Sequence, residues 1–327
     1  LDAQSAFNQS LAEAERVMGL ADELTRLGRS ADAKPFLRQG AEWAALALAC
    51  DPQSAKCARL LCVALFHLGR MAASAKAARR PDTARRTPRI GIVIAVLDRP
   101  QGVHGIDQLL QDLQTFSGEV AVVFNDPAVG AELCNHPRID KWAILSANAG
   151  VARGWNIGIN LIESDIAAIL NADFRLDPKI LDQLAQGFVQ RPDAGIIGLG
   201  GQVIDPHTLE TVRHYVPGQF QAITPVDKVT GYCFLLHLER CHQAGITIDP
   251  RLSPYFFEEL DLMVKCRNAG LGTYAMPIDP ALFSHEGGIS MRDRPIALFG
   301  QVVDRARVLA RNARLVQEKW AKQNRRD

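Results

Sequence analysis

The seven cysteines of this 327-residue chain, at positions 50, 57, 62, 134, 233, 241 and 266, include no C-x-x-C pair. Their odd number and spacing indicate neither a zinc knuckle nor a disulfide framework, and a reducing, cytoplasmic setting is the expectation. Long apolar runs are lacking as well. "IGIVIAVL" and "CFLLHL" fall far short of the ~20 residues that a bilayer crossing needs, and no charged-then-apolar leader opens the sequence. An excess of one charge is also missing. A net charge of +1 gives no overall attraction to nucleic acid or to an anionic membrane, so any such contact is local and peripheral. What is present is 47% hydrophobic residues with 22% charged, enough to bury cores in two domains.

Residues 1 to 78 hold two valines, no isoleucine, and alanine at about one position in four, a composition that favours helix over strand. "ELTRLGRSADA", starting at Glu23, is echoed by "ALFHLGRMAAS", starting at Ala64, 41 residues later. The stretch 1–86, with its linker, resembles a tetratricopeptide-like helical domain, although that repeat has a period of about 34 residues. In such repeats the Leu-Gly pair lets two helices approach closely. A plain helical bundle is the alternative. Residues 79–89, "RRPDTARRTPR", carry five arginines and two prolines and read as a connector.

At Ile90 the composition turns β-branched. "RIGIVIAVLDRP" is a continuous apolar run of the kind a strand buried on both faces requires. Similar runs at 119–126, 141–148, 165–173 and 194–204 alternate with helical stretches such as "GVARGWNIGINLIES" and "DPKILDQLAQGFVQR". This alternation predicts an α/β domain over 87–290 with a mainly parallel sheet flanked by helices, whose ligands bind beyond the carboxyl ends of the strands. The polar residues there are Asp98, Asn125, Asp126, Asn148, Asn171 and Asp173. In "NAGVARGWNIG", Gly150 and Gly154 permit close backbone approach at a helix start, and Arg153 and Asn156 join Asn148 as candidates for phosphate or donor contact. Beyond 290, apolar positions 298, 302, 306, 309, 313, 316 and 320 predict an amphipathic helix in a basic 291–327 segment. Such a helix either packs on the core or touches anionic lipid.

The ordered series "IVIAVLDRP", "VVFND", "NAGVARGWNIGINLIESDIAAILNADFRLDP", "TGYCFLLHLERCHQAGITID", "YFFEELDLMVKCRNAGLGTYAMP" and "FSHEGG" resembles family 2 glycosyltransferases of the GT-A fold, in particular their bacterial rhamnosyltransferase-like branch. The resemblance covers residues 88 to 290. It implies an inverting transfer of sugar from a nucleotide-diphosphate sugar, UDP- or dTDP-linked, to an acceptor hydroxyl of a glycan, a lipid-linked carrier or a protein. Mg²⁺ or Mn²⁺ usually assists in that family. Asp173 matches the final acid of the family's metal motif, while Asn171 stands where its first acid belongs, which leaves metal independence open. His285 completes the metal site or touches the diphosphate by the same resemblance, and Gly231 lines the sugar's side of the pocket.

"FFEELDL" places Glu258, Glu259 and Asp261 behind two phenylalanines. The resemblance makes this the segment that supplies the catalytic base, with Glu259 in the position usually filled by aspartate. If the stretch opens a helix, Glu258 and Asp261 share a face and Glu259 points about 100° away. Crowding and burial are expected to raise at least one of the three pKa values. Two other readings are a sugar-phosphate nucleotidyltransferase, for which a Gly-rich loop after the first strand is missing, and an inactive scaffold that binds a protein partner through its helical repeats.

Overall fold

The computed structural model describes residues 3–27, 29–51, 54–68, 88–99, 104–205, 208, 210–285 and 295–323. The chain divides into two compact units, Leu1–Thr87 and Pro88–Asp327.

The first unit contains α1 (Ala3–Arg26), α2 (Ser30–Cys50) and α3 (Ala55–His67). Small side chains let these helices lie close together. Met18, Ala21 and Leu24 of α1 pack on Ala33, Phe36 and Leu37 of α2, and Ala41 of α2 packs with Leu61, Ala64 and Leu65 of α3. The helices come close at Gly40, where a Cβ would lie 2.7 Å from Met18 Sδ. Leu27, the described half of the first Leu-Gly pair, is instead 66% exposed. Gly28, the second Leu-Gly pair from Gly69 onward and most of the arginine-rich connector lie outside the described residues.

In the second unit strand and helix alternate through β1 (Ile90–Val96), α4 (Ile106–Asp112), β2 (Glu119–Phe124), α5 (Pro127–Leu133), β3 (Lys141–Ile144), α6 (Val151–Leu161) and β4 (Ile166–Asn171). Then follow β5 (Phe174–Leu176), α7 (Lys179–Gln190), β6 (Ala194–Gly198), β7 (Gly201–Ile204), β8 (Thr211–Tyr215), β9 (Thr224–Pro225), β10 (Lys228–Val229) and β11 (Cys233–His237). The unit closes with α8 (Leu238–Gln243), α9 (Glu258–Asn268), β12 (Gly272–Ala275), β13 (Phe283–His285), β14 (Ile296–Leu298), β15 (Gln301–Val303) and α10 (Arg305–Gln323).

Eight strands form one mainly parallel sheet in the order β3-β2-β1-β4-β11-β6-β12-β9. Only β11 and the short β9 run against their neighbours. Because side chains alternate across a strand, Ile92, Ile94 and Val96 enter one core with Leu109 of α4 and Leu184 of α7. Val93 enters the other with Trp155 and Ile159 of α6 and Met263 of α9. Each such fully buried aliphatic side chain contributes roughly 1.5–3 kcal/mol, which explains why the runs on β1, β2 and β4 are apolar without interruption. The fold is thus mixed α/β, with helices on both sheet faces and a helical region ahead of it.

Two expectations are corrected. The run 194–204 is two strands: β6 stays in the large sheet, while β7 leaves it to pair with β8 and β10. The parting needs glycine, since a Cβ at Gly200 would lie 2.7 Å from Tyr215 O and one at Gly201 2.8 Å from Lys228 O. The terminal helix begins at Arg305, not near 298, because Phe299 and Gly300 take positive φ values of 49° and 77° and turn β14 into β15 as a hairpin. Its buried stripe is Val308, Asn312 and Val316, while Val302 and Leu309 are exposed. No described helix is long and apolar enough to cross a membrane.

Candidate active site

A cleft with roughly 910 Å³ of space, part of it open to solvent, lies beyond the carboxyl ends of β1 and β4. Asp98 follows β1 into it, Asn125 follows β2, and Asn171 and Asp173 follow β4. Asn148, Gly150 and Trp155 reach it from the start of α6, and Tyr255, Glu258 and Glu259 from the start of α9. A second hollow, lined by Val226, Asp227, Met263, Arg267 and Thr273, contains none of these residues.

Asp173 and His285 meet through the pairing of β5 with β13, which sets Phe174 opposite His285. His285 Nε2 lies 3.2 Å from Asp173 Oδ1 and 3.5 Å from Asn171 Nδ2. Tyr232 stacks on the imidazole at 4.5 Å between ring centroids and fixes its plane. The other Asp173 oxygen, Oδ2, is buried with no hydrogen-bond partner. An orphaned carboxylate oxygen beside an imidazole is a donor set that suits a divalent cation whose remaining ligands come from water and phosphate. Among the described residues no group of three or more His, Cys, Asp and Glu side chains gathers as a metal cage. The Gly-Gly loop after His285 lies outside the described residues.

The acidic segment opens α9 at Glu258. Phe256 and Phe257 before it have φ values of 80° and 69°, a left-handed conformation that costs a non-glycine residue on the order of 1–3 kcal/mol. This turn delivers Glu258 and Glu259 into the cleft. Glu258 is buried, and its Oε2 has no hydrogen-bond partner. Burial first, and the neighbouring Glu259 carboxylate second, push its carboxyl well above the usual carboxylate range. Glu259 is half-buried and closely backed by Gly231, where an added Cβ would lie 1.8 Å from Glu259 Oε1. Gly231 therefore makes room for the carboxylate, a role the sequence had given to the sugar.

Several sequence candidates are occupied elsewhere. Asp261 does not line the cleft. It is buried between Lys265 at 2.8 Å and Lys319 at 2.6 Å. Asp126 caps α5, its Oδ1 accepting from the Ala128 and Val129 amides at 2.8 and 3.3 Å. Arg153 donates to Ala149 O at 3.1 Å and stacks over Phe299 at 5.1 Å, and burial, then Arg311, lowers its pKa. Asn156 donates to Ile248 O at 2.9 Å. Each of these four side chains thus has a backbone, ring or ion-pair partner, and none of them is among the residues lining the cleft. Asn125 and Asn148 do both jobs. Asn125 Oδ1 accepts from the Ala149 amide at 3.0 Å, and Asn148 ties Ala297 O and the Gly150 amide at 2.8 and 2.9 Å while lining the cleft. Trp155, Tyr255 and Ile296 also line it and had no strand-end signal to mark them. Cys233 is fully buried, which pushes its thiol up and leaves it inert.

No protein-family model and no curated protein sequence matches the chain. Solved structures do resemble it. One is GalNAc-T7 with UDP, GalNAc and Mn²⁺, at 10% identity and a TM-score of 0.47, covering 59% of this chain and 43% of that one. Residues 1–349 of S. aureus TarS, in complex with UDP or with UDP-GlcNAc, align at 14% identity with TM-scores of 0.44 and 0.45. Those alignments cover 60% and 61% of this chain and 59% and 60% of the TarS chains, so under two thirds of each relative is spanned.

Proposed function

We propose that the second unit is an inverting glycosyltransferase of the GT-A type, moving a sugar from a UDP- or dTDP-linked donor to an acceptor hydroxyl. One observation carries the assignment: Glu259 on α9 and Asp173, whose Oδ1 lies 3.2 Å from His285 Nε2, line the same cleft at the carboxyl ends of parallel strands. Of the three acidic residues on α9, Glu258 is buried with its carboxyl pushed up and two lysines hold Asp261 outside the cleft, which leaves Glu259 as the base. Its carboxylate takes the acceptor's hydroxyl proton as that oxygen bonds to the anomeric carbon. The bond from that carbon to the diphosphate breaks on the far side, and its electron pair leaves with the nucleoside diphosphate. Glu258, its carboxyl pushed up by burial, lines the same cleft beside Glu259.

Asp173 and His285, with the Asn171 amide beside them, would hold Mg²⁺ or Mn²⁺, which supplies neutralisation of the diphosphate's developing charge. Asn171 would contribute an uncharged amide there, where a carboxylate would contribute charge. Asp98, Asn125 and Asn148 bind the donor's nucleotide and sugar. The tetratricopeptide-like helices of the first unit recruit a protein or the acceptor, and the role is in bacterial surface polysaccharide or protein glycosylation.

Incubation with UDP- and dTDP-sugars tests the reading. Nucleoside diphosphate is released by the wild type, and Glu259→Gln lowers kcat by roughly 10²- to 10⁴-fold while calorimetric donor affinity persists. Undiminished turnover in that variant removes Glu259 from the base role. Release of pyrophosphate indicates nucleotidyl transfer instead, and no donor binding with or without Mn²⁺ indicates a scaffold.

A further inference from the structure

Asn312, on α10, is 0% exposed although it is polar, and it lies 53 positions from the carboxylate that the proposed reaction uses (312 − 259). The two N–H groups of its amide Nδ2 are shared among three backbone carbonyls in the segment before α9: Leu252 O at 2.7 Å, Tyr255 O at 2.9 Å and Phe256 O at 3.0 Å. Its Oδ1 accepts from Arg311 Nε at 2.9 Å, and the same guanidinium also donates to Ser253 O. One amide and its neighbour thus bind four carbonyls of a five-residue stretch. Three acceptors converging on one nitrogen define which way the amide faces. Aspartate or leucine would present no donor to them, leaving buried carbonyls unpaired.

The stretch so held is the one that carries the two consecutive left-handed phenylalanines, Phe256 and Phe257. A non-glycine residue keeps that conformation only where its surroundings over-determine it. The surroundings here are α10: Asn312 from within, Arg305 over the Phe256 ring at 5.6 Å, and Val316, which packs with Leu252, Leu260 and the partly buried Phe257. Glu258 and Glu259 follow directly, and the φ values of 256 and 257 set where α9 begins and which way its first residues point.

We infer that Asn312 is a positioning residue for the α9 carboxylates, locking the left-handed turn that aims Glu259 into the cleft. The inference rests on the glycosyltransfer reading. The stretch Asn312 holds leads directly into Glu258 and Glu259, and none of its described hydrogen bonds reaches Asp173 or His285, so the loss of Asn312 is expected to move the base more than the diphosphate side of the cleft.

The experiment measures kcat, donor KM and calorimetric donor affinity of the full chain for Asn312→Ala and Arg311→Met, well below their melting temperatures. Asn312→Ala is expected to lower kcat roughly 10- to 100-fold, as displacement of a reacting group by about 1 Å does, with donor affinity within about twofold and a moved acidic limb in the kcat–pH profile. Arg311 is exposed, so Arg311→Met folds even if Asn312→Ala does not, and it lowers kcat in the same direction by about threefold. Adding Phe256→Asn, which tolerates the left-handed region, restores part of the Asn312→Ala loss. Wild-type kcat in Asn312→Ala overturns the inference, as does wild-type kcat in Arg311→Met, or an equal fall in kcat and donor affinity. If the wild type itself turns over no nucleotide sugar, the glycosyltransfer reading fails first, and the two failures are distinguishable.

Discussion

Gly231 faces Glu259 so closely that a single added carbon has nowhere to go. Gly231→Ala, with its Cβ placed 1.8 Å from Glu259 Oε1, forces the carboxylate aside. A kcat loss of roughly 10- to 100-fold with little change in donor affinity is expected in steady-state assays. Glu258 gives a different signal. Its folded-state pKa lies above the unfolded value, so the fold loses stability as pH rises from about 4.3 toward that higher value. Glu258→Gln removes the linkage. Urea midpoints at pH 5 and pH 8 should show the variant gaining on the wild type as pH rises, and parallel midpoints would contradict a Glu258 carboxyl pushed up by burial. At this scale the sequence exposed the residues whose place follows from strand ends, such as Asn171 and Asp173, since a sheet puts those at one edge. It did not show that Arg153 meets Ala149 O and the Phe299 ring, because an arginine at a helix start reads the same with or without those partners.

Helix and strand boundaries depend on single polar groups. Asp126 is spent on the amides of α5, so Asp126→Ala should cost about 1 kcal/mol in equilibrium unfolding, as a lost N-cap does. Donor affinity should hold, and a large fall would return Asp126 to the nucleotide site. The strands were legible because apolar runs of five to seven residues on β1, β2 and β4 have few alternatives in a two-layered core. Less legible was α10, whose apolar periodicity names Val302, Ala306 and Leu309, whereas the buried stripe centres on Asn312. A polar residue satisfied by backbone carbonyls, all more than fifty positions away, leaves no mark in a hydrophobic pattern. The run 194–204 misled for a similar reason, since its glycines signal close backbone approach without saying to which strand.

Across the second unit, the last helix is tied to the site by charge as well as by Asn312. Lys319 pairs with Asp249 and Asp261, both buried, while Arg251 and Lys265 hold their outer sides. Burial alone would raise the Asp249 pKa, but Arg251 and Lys319 outweigh it and hold the carboxyl well below the usual range. Lys319→Met should therefore destabilise the protein by about 3 kcal/mol at pH 7, the low end for a broken buried pair because two cations remain. Since the Asp249 contribution is full above pH ~4 and is lost as pH falls toward its folded value, the gap between variant and wild type should narrow in acid. Equal gaps at pH 7 and pH 3 would contradict that. The central claim, a nucleotide sugar held between the β4 end and α9, is tested most directly by a crystal of the full chain soaked with UDP or dTDP and Mn²⁺. The account predicts the diphosphate beside Asp173 and His285 with Glu259 facing the space where the sugar would sit; a nucleotide bound elsewhere, away from both, would contradict it.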